Sequence, residues 1–412
     1  MTSSDALLTL FDRHVLSVYS PRRIVLAHGQ GARVTDTEGR EYVDFGAGIA
    51  VNSLGHAHPA LVAALTGQAA RLWHTSNVFL SAPPLRLAAA LVEASGFASR
   101  AFLCNSGAEA NEAAIKLARR WATAQGRPPE RRVVLTFHGS FHGRTLAAVT
   151  ATAQPKYHEG FEPLPPGFRY AAFNDPAAAE AAMAAGDVCA VLVEPVQGEG
   201  GVTPAHPAFL HRLRSLCDEH GALLVFDEIQ CGMGRTGHLF AWQGYGVVPD
   251  VVTLAKALGG GFPIGAMLVG TKAADALQVG AHGTTFGGNP LAAAVANAAL
   301  AELSSPALLA NVHRQEAALR DGLLALDAEF GLFDEIRGRG LMIGAQLGAA
   351  HAGAAARVLD HCVAHGLLLL QAGPDVLRFV PALNIGDADV AEGLRRLRMA
   401  FVDYLEGASP PR

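Results

Sequence analysis

Apolar residues in this chain fall into short blocks joined by stretches with helical spacing. From about residue 60 six blocks stand out: 101–103, 133–137, 190–193, 223–226, 251–254 and 266–269. They are β-branched or apolar and lack strict alternation, the pattern of strands covered on both faces. Between them, apolar residues recur three and four apart. Phe209, Leu210, Leu213, Leu216 and Cys217 make one such stripe, and Gly221 ends it. Helix and strand in alternation predict an α/β fold with a mostly parallel, doubly wound sheet. Ahead of it, residues 33–45 predict a hairpin that turns at Glu38-Gly39. Beyond about residue 305, long Ala- and Leu-rich helices flank 336–347 and 367–380, which predicts a smaller α+β unit. The expected organisation is an N-terminal segment 1–58, a large domain 59–305 and a C-terminal small domain 306–412, with the first segment belonging to the small domain. Residues 163–167 read as an exposed loop.

Composition narrows the class. Half of the 412 residues are apolar and 17% are charged, which excludes a disordered chain and predicts a large interior. The net charge of −5 and scattered arginines leave no nucleic-acid footprint. Five cysteines without C-x-x-C spacing fit reduced thiols, so a cytoplasmic protein is expected. Asp5 and Asp12 interrupt any apolar leader, and no apolar run has the length of a membrane span.

Candidate chemistry gathers after the predicted strands, where doubly wound sheets bind ligands. Lys256 lies between the block 251–254 and three glycines, Gly259, Gly260 and Gly261. A desolvated lysine there loses its proton more readily, and a neutral amine attacks an aldehyde. Ser106 and Gly107 open a helix with Ala113, Ala114, Leu117, Ala118 and Trp121 on one face. That is either a plain N-cap or a phosphate seat. Asp227 ends a buried block and needs a cationic or hydrogen-bonding partner: a structural ion pair or a pyridinium nitrogen. Phe141 sits on a glycine-bounded loop, as core filler or as a platform for a planar ring, and Arg144 beside it suits a carboxylate. Arg378 is flanked by apolar residues and requires an anion; Glu199, on a glycine-rich loop, is a candidate. Residues 232–237 fit G-x-G-x-x-G, but 238–246 make a poor helix, against a dinucleotide site. The pairs His56/His58 and His138/His142 lack a third ligand, so no metal site is expected.

Taken together these residues resemble the class III pyridoxal-phosphate-dependent aminotransferases, and within them the acetylornithine and succinylornithine branch. The resemblance spans nearly the whole chain. It rests on 105–111 (NSGAEAN), 141–144 (FHGR), 154–157 (QPKY), 194–201 (EPVQGEGG), 226–237 (FDEIQCGMGRTG), 255–265 (AKALGGGFPIG), 283–290 (GTTFGGNP) and 372–381 (AGPDVLRFVP). Lys256 also follows Asp227 by 29 residues, which suits the family. The resemblance implies fold type I and pyridoxal 5'-phosphate as cofactor. It implies Lys256 as the lysine that bonds the cofactor and shuttles the proton, with Asp227 on the pyridine nitrogen. Ser106, Gly107, Ala108, Phe141, Glu228, Ile229, Gln230 and Thr285 would contact the cofactor, Thr285 from the other subunit of a homodimer. Arg144, Glu199, Thr284 and Arg378 would contact substrate. The implied reaction moves the δ-amino group of an N2-acylornithine to 2-oxoglutarate. Relatives acting on 4-aminobutyrate or free ornithine share these motifs, and an aminomutase or decarboxylase would share the lysine.

Overall fold

The computed structural model describes residues 4–407. Its centre is a seven-stranded sheet in the order Ala98–Cys104, Gly265–Gly270, Val251–Leu254, Leu223–Asp227, Val188–Val193, Val133–Phe137 and Phe168–Ala171. All neighbours are parallel except Gly265–Gly270, which runs against both of its partners. The four central strands from 188–193 to 265–270 are buried along their whole length. That coverage is why their sequences read as unbroken apolar blocks. Phe168–Ala171 was not predicted. It is a half-buried edge strand whose Arg169 pairs with Asp187 at 2.6 Å, so it lacks the apolar block.

Helices cover both faces. Gly107–Ala124 starts where Ser106 Oγ accepts from the Glu109 N–H, and its stripe of Ala113, Ala114, Leu117, Ala118 and Trp121 is buried. Pro207–Glu219 buries the predicted stripe on the other side of the core. The hairpin forms from Arg33–Asp36 and Glu41–Asp44, with Gly39 at φ +85° in the turn. Its second strand pairs in parallel with Leu367–Leu368, so the two ends of the chain share one sheet. A second C-terminal sheet joins Phe333–Arg339, Met342–Leu347, Val376–Phe379 and Leu370–Gln371. Among the described residues no single helix is long and apolar enough to cross a membrane.

Two local results place the site. Residues 232–237 form turns, and Ala241–Tyr245 closes into one short helix that Gly246 ends. Arg235 in that stretch is fully buried and donates to Leu341 O (2.9 Å), Pro381 O (2.5 Å) and Ser53 Oγ (3.2 Å). It therefore ties the rim of the large sheet to the C-terminal part. Burial lowers its guanidinium to about 9.

Candidate active site

The carboxyl ends of the strands open into one cavity of about 440 Å³. It brings together Ser106, Gly107, Ala108, Phe141, Arg144, Glu199, Asp227, Ile229, Gln230 and Lys256. The Gly107 and Ala108 N–H groups have no partner among the described residues. They head an 18-residue helix, where orphan donors and the helix dipole favour an anion. Close packing fixes this seat. A Cβ on Gly107 would lie 2.8 Å from Ile229 Cδ1, and one on Gly143 would lie 2.8 Å from Ala108 Cβ.

Asp227 is 3% exposed and held from several sides. Its Oδ2 accepts from Asn111 Nδ2 at 2.7 Å and bonds His142 Nδ1 at 2.8 Å; its Oδ1 accepts from the Ile229 N–H at 3.1 Å. Asn111 is itself fixed by Thr253 Oγ1 at 2.8 Å and by donating to His142 O at 2.7 Å. Glu194 lies in the same wall, accepts from the Phe141 N–H at 3.0 Å, and leaves Oε2 buried without a hydrogen-bond partner among the described residues. Burial, then the neighbouring Asp227, raise its carboxyl well above the usual range. Asn111, His142 and Glu194 were not read as site residues. Each stands inside one of the motifs that carry the resemblance, and His142 reads from sequence only as half of a histidine pair.

Lys256 follows its strand with φ +43°, a left-handed backbone that few side chains adopt. Bonds from Gly259 N to Lys256 O (3.1 Å) and from Leu258 N to Ala255 O (2.9 Å) hold the turn. Gly259 is required there, because a Cβ would come within 1.9 Å of Phe262 O. Burial, and then Arg378, lower the Lys256 ammonium to about 8, against the opposing pull of Glu199, Asp227 and Glu194. The amine is thus far easier to deprotonate than an exposed one.

Arg378 is 3% exposed. Its Nη1 donates to Glu199 Oε1 at 2.6 Å and, more weakly, to Gln230 Oε1 at 3.4 Å. Arg144 differs. It is exposed, has no anion among the described residues, and rests over the rings of Tyr157 and Phe141. Arg144 is open and lines the cavity, whereas Arg378 is masked and reaches the cavity wall only through Glu199 and Gln230.

Four expected residues do not line this cavity: Arg378, which stands behind Glu199 and Gln230, and Glu228, Thr284 and Thr285. Glu228 turns away: its carboxylate accepts from the Ala241 and Trp242 N–H groups, both at 2.7 Å, and caps that short helix. Burial raises it to about 8. Its side chain caps that helix and does not line the cavity. Thr284 and Thr285 line a separate cavity with Phe102, Glu109, Glu112 and His282, which meets the first only at Asn105.

A lysine with a lowered pKa, a held carboxylate and an anion seat on a doubly wound sheet define a cofactor-dependent transferase site. The chain belongs to the class III aminotransferases, whose family description, Aminotransferase class-III, matches residues 17–401. It is 69% identical over 405 residues to the acetylornithine aminotransferase of Xanthomonas axonopodis pv. citri (strain 306), covering 98% of this chain and 99% of that one. It is 51% identical over 396 residues to the succinylornithine transaminase of Yersinia enterocolitica serotype O:8 / biotype 1B, covering 95% of each. Among solved structures, the N-acetylornithine aminotransferase of Stenotrophomonas maltophilia K279a is 60% identical with a TM-score of 0.85, over 95% of this chain and 99% of that chain. The ornithine aminotransferase of Toxoplasma gondii ME49 is 35% identical with a TM-score of 0.94, over 99% and 97%. Backbone shape alone therefore does not separate acylated from free donors.

Class III aminotransferases depend on pyridoxal phosphate. The residues present fit that group. The free N–H groups of Gly107 and Ala108 suit its phosphate, the fixed Asp227 carboxylate suits its ring nitrogen, and Lys256 suits its aldehyde.

Proposed function

We propose that the protein transfers the δ-amino group of N2-acetyl-L-ornithine to 2-oxoglutarate. The products are N-acetyl-L-glutamate 5-semialdehyde and L-glutamate, formed in two half-reactions at one site, with N2-succinyl-L-ornithine as a second donor. The observation that carries this is the pair of arginines: Arg378 bound to Glu199 at 2.6 Å, and Arg144 open. The names of the similar proteins support the donor class.

Bound pyridoxal phosphate supplies the aldehyde that carries nitrogen between substrates and the ring that withdraws electrons. Asp227, oriented by Asn111 and His142, would hold the ring nitrogen, and Phe141 and Gln230 would hold the ring from the cavity wall. With Arg378 masked, Arg144 takes the donor's α-carboxylate and the chain of the donor reaches inward. Lys256 Nζ, once neutral, accepts the proton from the donor's δ-carbon. In the second half-reaction Glu199 turns aside on its glycine-rich loop. Arg378 then takes the α-carboxylate of 2-oxoglutarate, Arg144 takes the distal one, and Lys256 delivers a proton to C2. Thr284 touches substrate near the entrance.

The test is glutamate formation from 2-oxoglutarate with acetylornithine, succinylornithine, ornithine and 4-aminobutyrate as donors, in the wild type and in Glu199→Ala. Acylornithines should be the fastest donors of the wild type. Glu199→Ala should improve α-amino acid donors, because Arg378 is unmasked. A preference for 4-aminobutyrate or free ornithine, or an unchanged donor profile in the variant, contradicts the reading.

The same reading takes residues 59–305 as the cofactor domain, with 1–58 and 306–412 as the small domain. It also makes the protein a cytoplasmic homodimer. Trp73, Val78, Phe79, Leu80 and Phe286 are exposed, and Asn77 Nδ2 donates to Thr284 O and Gly287 O, so this apolar surface borders the Thr284–Thr285 loop. A second copy covers it and receives Thr285 into its phosphate seat, with Ser106 nearby. All five cysteines are buried and unpaired, in keeping with a reducing compartment. Sedimentation and cell fractionation check these two points.

A further inference from the structure

The segment 154–157, which carries part of the family resemblance, lies beside the site. Its tyrosine stands against Arg144. The Arg144 guanidinium carbon lies 4.0 Å from the Tyr157 ring centroid and 5.4 Å from that of Phe141. The two rings meet edge to face at 6.0 Å and 84°. Tyr157 is thus the closer of two aromatic walls around an arginine that has no carboxylate partner among the described residues.

The ring is firmly mounted. Tyr157 ends the short 3-10 turn Pro155–Tyr157, closed by its N–H on Gln154 O at 3.0 Å. Gln154 Nε2 donates to Ser140 O at 2.8 Å, and the Ala153 N–H donates to Ser140 Oγ at 3.1 Å. On the far side, His158 Nε2 bonds Thr152 O at 2.8 Å and Val149 O at 2.9 Å. The segment is therefore stitched to the loop that carries Phe141 and Arg144. The Tyr157 hydroxyl has no hydrogen bond among the described residues, so its contribution comes from the ring. Lys156 Nζ also approaches that ring, at 4.8 Å from the centroid. It is farther than Arg144 and carries a more strongly hydrated charge.

We propose that Tyr157 is a positioning residue for substrate recognition: its ring face holds Arg144 at the angle in which the guanidinium edge is turned to a substrate carboxylate. A guanidinium on an aromatic face keeps its in-plane N–H donors free, and these are the donors that a carboxylate takes in pairs. An exposed arginine without such a support loses side-chain freedom each time it binds; a stacked one has already lost it. The proposal rests on the reading of Arg144 as the carboxylate clamp, and the experiment separates the two.

KM and kcat are measured for acetylornithine and 2-oxoglutarate in Tyr157→Phe, Tyr157→Leu, Arg144→Ala and the Tyr157→Leu/Arg144→Ala double variant, with melting temperature and bound cofactor as checks on folding. Tyr157→Phe keeps the ring and should stay within about twofold of the wild type. Tyr157→Leu should raise both KM values about three- to tenfold while kcat changes by less than about twofold. In the Arg144→Ala background the leucine should add nothing further. If Arg144→Ala raises KM but Tyr157→Leu does not, the positioning role fails and the clamp stands. Tyr157→Phe as damaging as Tyr157→Leu, or a leucine effect that persists without Arg144, overturns the proposal as well. If Arg144→Ala itself leaves both KM values unchanged, the clamp reading and the positioning role fall together. Should Tyr157→Leu fold poorly, Tyr157→Trp restores a ring and should return KM to within about threefold of the wild type; no recovery counts against the proposal.

Discussion

Lys256 carries a cost that is measurable before any cofactor is added. Its amine has a folded pKa of about 8 against 10.5 for an unperturbed lysine. Below pH 8 the amine is charged in both states, and the folded protein bears the whole desolvation penalty. Between about 8 and 10.5 the folded amine is neutral while the unfolded one still binds a proton, so the penalty shrinks as pH rises. Replacing Lys256 by Met should therefore stabilise the cofactor-free protein by about 1–3 kcal/mol near pH 6, with the gain shrinking markedly by about pH 10. Urea unfolding of both cofactor-free proteins at the two pH values checks this; a difference that does not depend on pH sinks it. Lys256 and Asp227 were legible from the sequence because each stands within two residues of the end of a fully buried apolar block. Asn111 was not, although a signal existed. It precedes Ala114 and Ala118 by three and seven residues and so falls on the buried stripe of its helix, where a polar side chain needs partners. His142 and Glu194 were obscured differently: their partners lie 85 and 53 residues away, and only the sheet order brings them together.

At the level of elements, the phosphate seat depends on a close approach between the Gly107–Ala124 helix and the loop after Val133–Phe137. Gly143 makes that approach at φ +137°, with its missing Cβ 2.8 Å from Ala108 Cβ and 3.0 Å from Ala148 Cβ. Gly143→Ala should cost about 1–3 kcal/mol of stability and, by pushing Ala108, weaken cofactor binding about tenfold or more. Thermal unfolding and titration of the cofactor-free variant with pyridoxal phosphate read the two effects. An unshifted dissociation constant would show that the seat does not need the contact. The central strands, the hairpin and the long helices were readable because burial on both faces or along one stripe leaves a period in the sequence. The edge strand Phe168–Ala171 leaves none. The turn of helix at Ala241–Tyr245 was unreadable for another reason: its N-terminus is capped by Glu228, at least 13 residues earlier in the chain. The same long-range bonds turn the Glu228 side chain toward that helix.

For the whole molecule, the separation of the two cavities has a consequence that can be tested by mixing subunits. Within one protomer Thr284 and Thr285 line a different cavity from Lys256, and the two cavities share only Asn105. In the proposed dimer, Lys256→Ala protomers lack the amine and Thr285→Val protomers weaken the partner's phosphate seat. A mixed dimer then has one doubly damaged site and one intact site. Thr285→Val alone should weaken cofactor binding about tenfold, the loss of one hydrogen bond to a charged group. Refolding it with Lys256→Ala should create a population of sites with wild-type affinity and turnover. No recovery on mixing would mean that each protomer builds its site alone. The antiparallel strand Gly265–Gly270 matters on this scale too. It returns the chain from Lys256 to the neighbouring position in the sheet, with Leu254 opposite Ala266. The stretch between is a hairpin whose two feet stand on adjacent rails, so it cannot slide without breaking the register of the sheet. The amine is then a lever on a fixed fulcrum. What it does for two substrates of different shape then comes from rotation about its own four methylenes, while the accommodation of those shapes falls to Arg144 on the cavity wall and to the Arg378–Glu199 pair behind it.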